Sequence, residues 1–91
     1  MAEARDVKIK RLAMRSMRRG IKEMDLILSA YADAHLAGLD DAELALYDDL
    51  LSENDHDLYA WVTGHAQTPT RYSAMMAVVA DGAKGLTRPA S

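Results

Sequence analysis

Leu39-Asp40-Asp41-Ala42-Glu43-Leu44-Ala45-Leu46-Tyr47-Asp48-Asp49-Leu50-Leu51 is the stretch that decides the fold. Asp40 stands where a helix N-cap belongs, and Glu43 follows three residues later. That spacing lets each side chain satisfy a backbone N–H of the other residue, as in a capping box. Leu39 and Leu44 occupy the staple positions on either side of the cap, and Leu44, Tyr47 and Leu51 recur at helical spacing as a core stripe. One helix is thereby marked at its start and along its buried face, and its neighbours read the same way.

Upstream, Ile21, Met24, Ile27, Leu28, Tyr31 and His35 keep a helical period to about Leu36. Leu26 and Ala30 widen the apolar surface, which predicts that this helix is the central and most buried one. Gly38 is expected to end it as a left-handed cap. Before it, Ile9, Leu12, Ala13, Ser16 and Met17 predict an amphipathic first helix over roughly residues 7–18, interrupted at Gly20. Downstream, Asn54 or Asp55 caps a short fourth helix with Leu58, Trp61 and Val62 inward, closed by Gly64. Thr68-Pro69 opens a fifth, with Pro at the first helical position and Tyr72, Met75, Met76 and Val79 on its apolar face. The expectation is all-α: a compact single-domain bundle of about five short helices over residues 7–82. Residues 1–6 and 83–91 are expected to be flexible ends.

Composition agrees with that class. Ninety-one residues support one core rather than two. Six Met and no Phe suit helices. With no Cys, disulfides, thiolate chemistry and Cys-based zinc sites are excluded. No apolar run approaches the ~20 residues of a membrane span, so no membrane insertion is expected. The opening residues lack the apolar core of a secretory signal. A cytoplasmic protein, or a mature one of an organelle such as the mitochondrial matrix, is expected.

The net charge of −3 conceals a polarity. Residues 1–22 carry eight cations against two acids, a net of +6, and residues 23–91 carry a net of −9. Such asymmetry bears on partners rather than on fold.

Catalytic constellations do not emerge. His35, His56 and His65 are scattered, without metal-ligand spacing; His35 reads as a half-buried helix residue and the other two as exposed. The acidic run from Glu53 to Asp57 fails as a calcium loop. Leu58 stands where the tight turn needs Gly, and Gly64 where a bidentate Glu is needed. Helix capping is its better account. No Gly-rich phosphate cradle is present. The expectation is a binding protein, not an enzyme, with no metal.

Arg18-Arg19-Gly20-Ile21-Lys22-Glu23 is the most distinctive stretch. Local physics alone accounts for it. The two Arg suit the negative end of the first helix, Gly20 the turn, and Glu23 the positive start of the second. The same residues, however, read Arg19-Gly20-Ile21-Lys22-Glu23. This Arg-Gly-x-x-Glu resembles the hallmark of the small succinate dehydrogenase assembly factors, the flavinylation factors. Leu44 to Leu51 resembles the family's third helix. Asp55-His56-Asp57-Leu58-Tyr59-Ala60-Trp61-Val62-Thr63-Gly64 resembles its Asp-Leu-x-x-Trp-(apolar)-x-Gly signature. The likeness covers roughly residues 8–80. It departs at Met14, where the family often has an aromatic residue before the Arg-Ser pair, and it ends before Lys84.

The resemblance implies an assembly factor that binds the flavoprotein subunit of succinate dehydrogenase, with that of fumarate reductase as a further target. It promotes covalent attachment of FAD to a histidine of that target, without holding FAD stably itself. It also implies a partner-binding edge of Arg15, Arg19, Gly20 and Glu23. There Arg19 would pair with an acidic group or flavin-proximal carbonyls, Gly20 would permit close approach, and Glu23 would orient Arg19 or accept a bond. Trp61 is expected in the core by its register. Tyr59, off that stripe, is expected at the interface rim. Two alternatives are weaker: a helical interaction module with another partner, or nucleic-acid binding through the basic first helix. The latter lacks an aromatic stacking platform before Tyr31, and the net −9 of the remaining chain repels phosphate.

Overall fold

The capping box forms. In the computed structural model, which describes residues 3–84, Asp40 Oδ1 accepts the Glu43 N–H at 2.8 Å and Glu43 Oε1 accepts the Asp40 N–H at 3.0 Å. From that cap α3 runs Asp41–Leu51; α1 at Arg5–Arg15 and α2 at Lys22–His35 precede it in the chain, and α4 at Asp55–Thr63 and α5 at Ser73–Ala83 follow it. No strand occurs among the described residues, so the all-α expectation is met. No helix among them is long and apolar enough to cross a membrane. Of the ends expected to be flexible, residues 1–2 and 85–91 lie outside the described residues.

Helix α2 packs against α1, α4 and α5, and it buries Met24, Ile27, Leu28, Tyr31 and Ala32. Truncating one such side chain costs about 2–5 kcal/mol, because the cavity collapses only in part. Leu26 departs from the expectation: it is 49% exposed, on the outer side of α2. Leu12 of α1, Leu44, Tyr47 and Leu50 of α3, Leu58 of α4 and Val79 of α5 complete the same core.

The element ends correct several expectations. Helix α1 starts at Arg5 and stops at Arg15, earlier than 7–18 at both ends. Ser16 follows it as the C-cap: its buried hydroxyl donates back to the Leu12 carbonyl at 2.8 Å and shares a 2.6 Å hydrogen bond with the Tyr47 hydroxyl. Met17, expected on the apolar face, is 47% exposed. The left-handed residue of the following turn is Arg18, at φ 56°, rather than Gly20. Gly38 is not left-handed either. Helix α2 tightens into a 3-10 turn at Leu36–Gly38, closed by the Leu39 N–H to the Leu36 carbonyl at 3.2 Å. Gly64, at φ 80°, does end α4 as expected. Pro69 precedes a 3-10 turn at Thr70–Tyr72, and α5 begins only at Ser73.

Side-chain placement also departs from the sequence. His35 is exposed rather than half-buried, with its ring 4.8 Å from that of Tyr31. Trp61 is half-buried, lying 6.0 Å from the ring of the fully buried Tyr72. Tyr72 is buried as its register predicts, its hydroxyl donating to Glu53 at 2.9 Å, and Trp61 packs against the edge of the core beside it.

Candidate functional site

The turn from α1 to α2 is built around Arg19. Its Nε donates to Asp55 Oδ1 at 2.8 Å, its Nη1 to the Arg15 carbonyl at 3.0 Å and its Nη2 to the Leu51 carbonyl at 3.0 Å. The two carbonyls are the C-terminal ends of α1 and α3, and Asp55 is the first residue of α4. A cation thus sits at two negative helix ends, and a carboxylate sits at a positive one, which each helix dipole favours. Only 11% of the Arg19 side chain and 17% of the Asp55 side chain remain exposed. A charge-assisted pair so sheltered is stronger than a surface ion pair.

Gly20 belongs to the same junction. Its N–H donates to Asp55 Oδ2 at 2.7 Å, so one carboxylate holds two consecutive residues of the turn. A Cβ on Gly20 would stand 3.0 Å from that oxygen. The close approach that favours glycine here is therefore to Asp55 of its own chain.

Arg15 begins a second ion-pair group on the neighbouring side. It bonds Asp48 of α3 and donates to Ser52 Oγ at 3.1 Å. Arg11 reaches Asp48 Oδ2 at 3.0 Å and Glu3 Oε2 at 2.8 Å. Hydrogen bonding to Arg11, with Arg15 adding positive field, lowers the pKa of Asp48 below its ordinary value. The Arg11 hydrogen bond does the same for Glu3. Arg11 and Arg15 thus strap α1 to α3.

Glu23 differs from its motif partners. It lies in the first turn of α2, half-buried, and makes no side-chain hydrogen bond or ion pair among the described residues. The structure therefore gathers Arg15, Arg19 and Gly20 into one bonded junction and leaves the Glu23 carboxylate free beside it. Tyr59 lies one helical turn beyond Asp55 on α4, half-buried against the core rather than exposed at a rim. Asp55 is the residue that sequence reasoning missed, having been taken as a helix cap. Thirty-six residues separate it from Arg19, and no local periodicity signals a pair at that distance.

Two apolar grooves lie elsewhere. One, of about 230 Å³, runs between α2 and α5; the other, of about 410 Å³, is bounded by α2, α3 and α5. Their only ionisable lining is Tyr31, His35 and Glu43, which offers no fixed cation for a dinucleotide pyrophosphate. Among the described residues no group of three or more His, Cys, Asp or Glu could hold a metal ion.

Residues 10–82 match a family model described as flavinator of succinate dehydrogenase. The chain is 43% identical over 72 residues to succinate dehydrogenase assembly factor 2, mitochondrial, of Mycosarcoma maydis, covering 79% of this chain and 30% of that protein. It is 49% identical over 61 residues to the protein of the same name of Meyerozyma guilliermondii, covering 67% and 45%. With assembly factor 2-B, mitochondrial, of Drosophila mojavensis it shares 37% over 92 residues, covering 94% and 59%. The chain thus spans from under a third to about three fifths of these relatives' lengths. With the family model covering most of its length, and the Arg-Gly-x-x-Glu stretch forming the junction of three helix ends, this chain belongs to the flavinator of succinate dehydrogenase family.

Proposed function

We propose that this protein binds the flavoprotein subunit of succinate dehydrogenase and promotes covalent attachment of FAD to it. A fumarate reductase flavoprotein is a further target of the same chemistry. The observation that carries this reading is the junction itself. Arg19, Gly20 and Asp55 hold the turn rigid, and the Glu23 carboxylate is left free to meet a partner. A preformed edge of this kind spends less free energy on ordering when it docks.

The protein acts by binding rather than as an enzyme. The flavin and a histidine of the target supply the bond-forming groups. The factor favours the target conformation in which they meet, by binding that conformation more tightly than others. FAD is the cargo of the partner and is not held stably by this chain. The lining of the two grooves supports that assignment, since neither offers a cation for the pyrophosphate. The relatives named above are mitochondrial proteins, and this chain works in the compartment where its own target matures, cytoplasm or matrix.

The test is reconstitution. Purified flavoprotein subunit lacking covalent flavin is incubated with FAD, with and without this chain, and covalent flavin is read as fluorescence in a denaturing gel. Fluorescence that grows with added chain supports the proposal. Equal fluorescence with and without it, and no complex on size-exclusion chromatography, would overturn it.

A further inference from the structure

The basic first helix has a second face that the ion pairs leave unused. At ~100° per residue, Val7, Lys10, Met14 and Met17 fall within one sector of ~80° on the side of α1 opposite Leu12 and Ser16. Leu12 and Ser16 are 0% exposed, whereas Val7 is 53%, Met14 71% and Met17 47% exposed. Met17 lies beyond the last helical residue, but its N–H still donates to the Met14 carbonyl at 3.1 Å, so the stripe continues into the turn. One exposed apolar side chain is ordinary; three in one sector form a patch.

The charges around the patch set its chemistry. Arg5, Arg11, Arg15 and Arg19 are each engaged by a carboxylate of the chain. Lys8, Lys10, Arg18 and Lys22 have no ion pair among the described residues; Lys10 lies in the sector of the patch and Arg18 follows Met17 in the chain. Lys10 and Arg18 thus place unpaired positive charge beside the exposed thioethers. Positive rims around flexible apolar side chains complement a groove with an apolar floor and acidic walls. A helix laid in a groove by anchors at i and i+7 matches the spacing of Val7 and Met14.

We infer that this outer stripe of α1 is a docking strip for an acidic-walled apolar groove on the flavoprotein subunit, extending the contact from the Glu23 edge along the first helix. The inference rests on the function proposed above. A protein suits the stripe better than a lipid surface. Three apolar side chains make a narrow face for membrane insertion, and the net −9 of residues 23–91 opposes approach to anionic headgroups.

The experiment measures binding of the full chain to the purified flavoprotein subunit by calorimetry, at several salt concentrations. Met14→Asp and Met17→Asp are the test variants, with Val78→Ser of α5 as a control. All three positions are exposed, so the variants stay folded, and an Asp near the negative end of α1 lowers the melting temperature by no more than about 8 °C. The inference expects Met14→Asp to weaken binding by about tenfold or more, with Val78→Ser unchanged. Lys10→Gln with Arg18→Gln flattens the salt dependence. Wild-type affinity in both Met variants, with binding lost in Glu23→Ala, would overturn the strip and leave the proposed function standing. Co-flotation with phosphatidylserine vesicles that Met14→Asp abolishes, while flavoprotein binding is unaffected, would also overturn it in favour of a lipid-facing role. No binding by the wild-type chain would remove the strip and the proposed function together.

Discussion

The two carboxylate oxygens of Asp55 are divided between consecutive residues of the α1–α2 turn: Oδ1 takes the Arg19 Nε at 2.8 Å and Oδ2 the Gly20 N–H at 2.7 Å. One side chain at the start of α4 thereby fixes the turn that carries the family's Arg-Gly-x-x-Glu. Arg19 completes the frame by bonding the last carbonyls of α1 and α3.

Asp55→Ala leaves Arg19 sheltered without its carboxylate and Gly20 without an acceptor. Breaking a buried ion pair costs about 3–5 kcal/mol, and the residual exposure at this pair reduces that to about 2 kcal/mol. For a domain of this size the melting temperature falls by roughly 8–16 °C, read by circular dichroism.

Gly20→Ala places a methyl group 3.0 Å from Asp55 Oδ2, one oxygen of a carboxylate held in place by two hydrogen bonds. It destabilises by about 1 kcal/mol in urea unfolding. In the Asp55→Ala background the clash is absent, so the same substitution becomes nearly neutral. A double-mutant cycle therefore returns a coupling of about 1 kcal/mol.

Tyr47→Phe tests the buried link between α1 and α3. The phenol shares its hydrogen with Ser16 and lies in the core, where burial pushes its pKa up to about 12. Removing the hydroxyl costs about 1 kcal/mol at neutral pH. Because the folded pKa is above the unfolded value, the contribution of neutral Tyr47 is complete below pH ~10 and lost as pH rises toward 12. The gap between wild type and Tyr47→Phe therefore narrows over that window in alkaline melts.

Asp48→Asn probes the Arg11–Arg15 strap in acid. Asp48 has a folded pKa below its ordinary 3.8, chiefly through the Arg11 hydrogen bond. A depressed carboxylate stabilises above its unfolded pKa and loses that contribution as pH falls through the folded one. With the side chain a third exposed, the loss in Asn is about 1 kcal/mol, level from pH ~5 to 8 and shrinking below ~4. Melts of both proteins across that range check it.

The five helices were legible because each carries its own local signal. The Asp40–Glu43 box, the apolar period of α2 and the left-handed Gly64 act within a few residues of one another. The ends were less legible because tertiary contacts set them. The Ser16 hydroxyl ties the end of α1 to Tyr47 of α3, and Arg18 rather than a glycine takes the left-handed turn. Trp61, expected inward by its register, is only half-buried and packs at the edge of the core beside the buried Tyr72, an arrangement set by α4 meeting α5 rather than by local period. For the candidate site the motif was visible, but the division of labour within it was not. Arg19 and Gly20 face Asp55, thirty-six and thirty-five residues away, and only the fold brings that carboxylate to them.

That division is tested most directly by Glu23→Ala, assayed for covalent flavin on the succinate dehydrogenase flavoprotein subunit co-expressed in cells lacking their own factor. The Glu23 carboxylate makes no bond within the described chain, so the variant keeps the wild-type melting temperature within about 2 °C. This folded variant is expected to leave flavin fluorescence in the denaturing gel at background, whereas the wild-type chain raises it. Full fluorescence with Glu23→Ala would contradict the assignment of the free carboxylate to the partner.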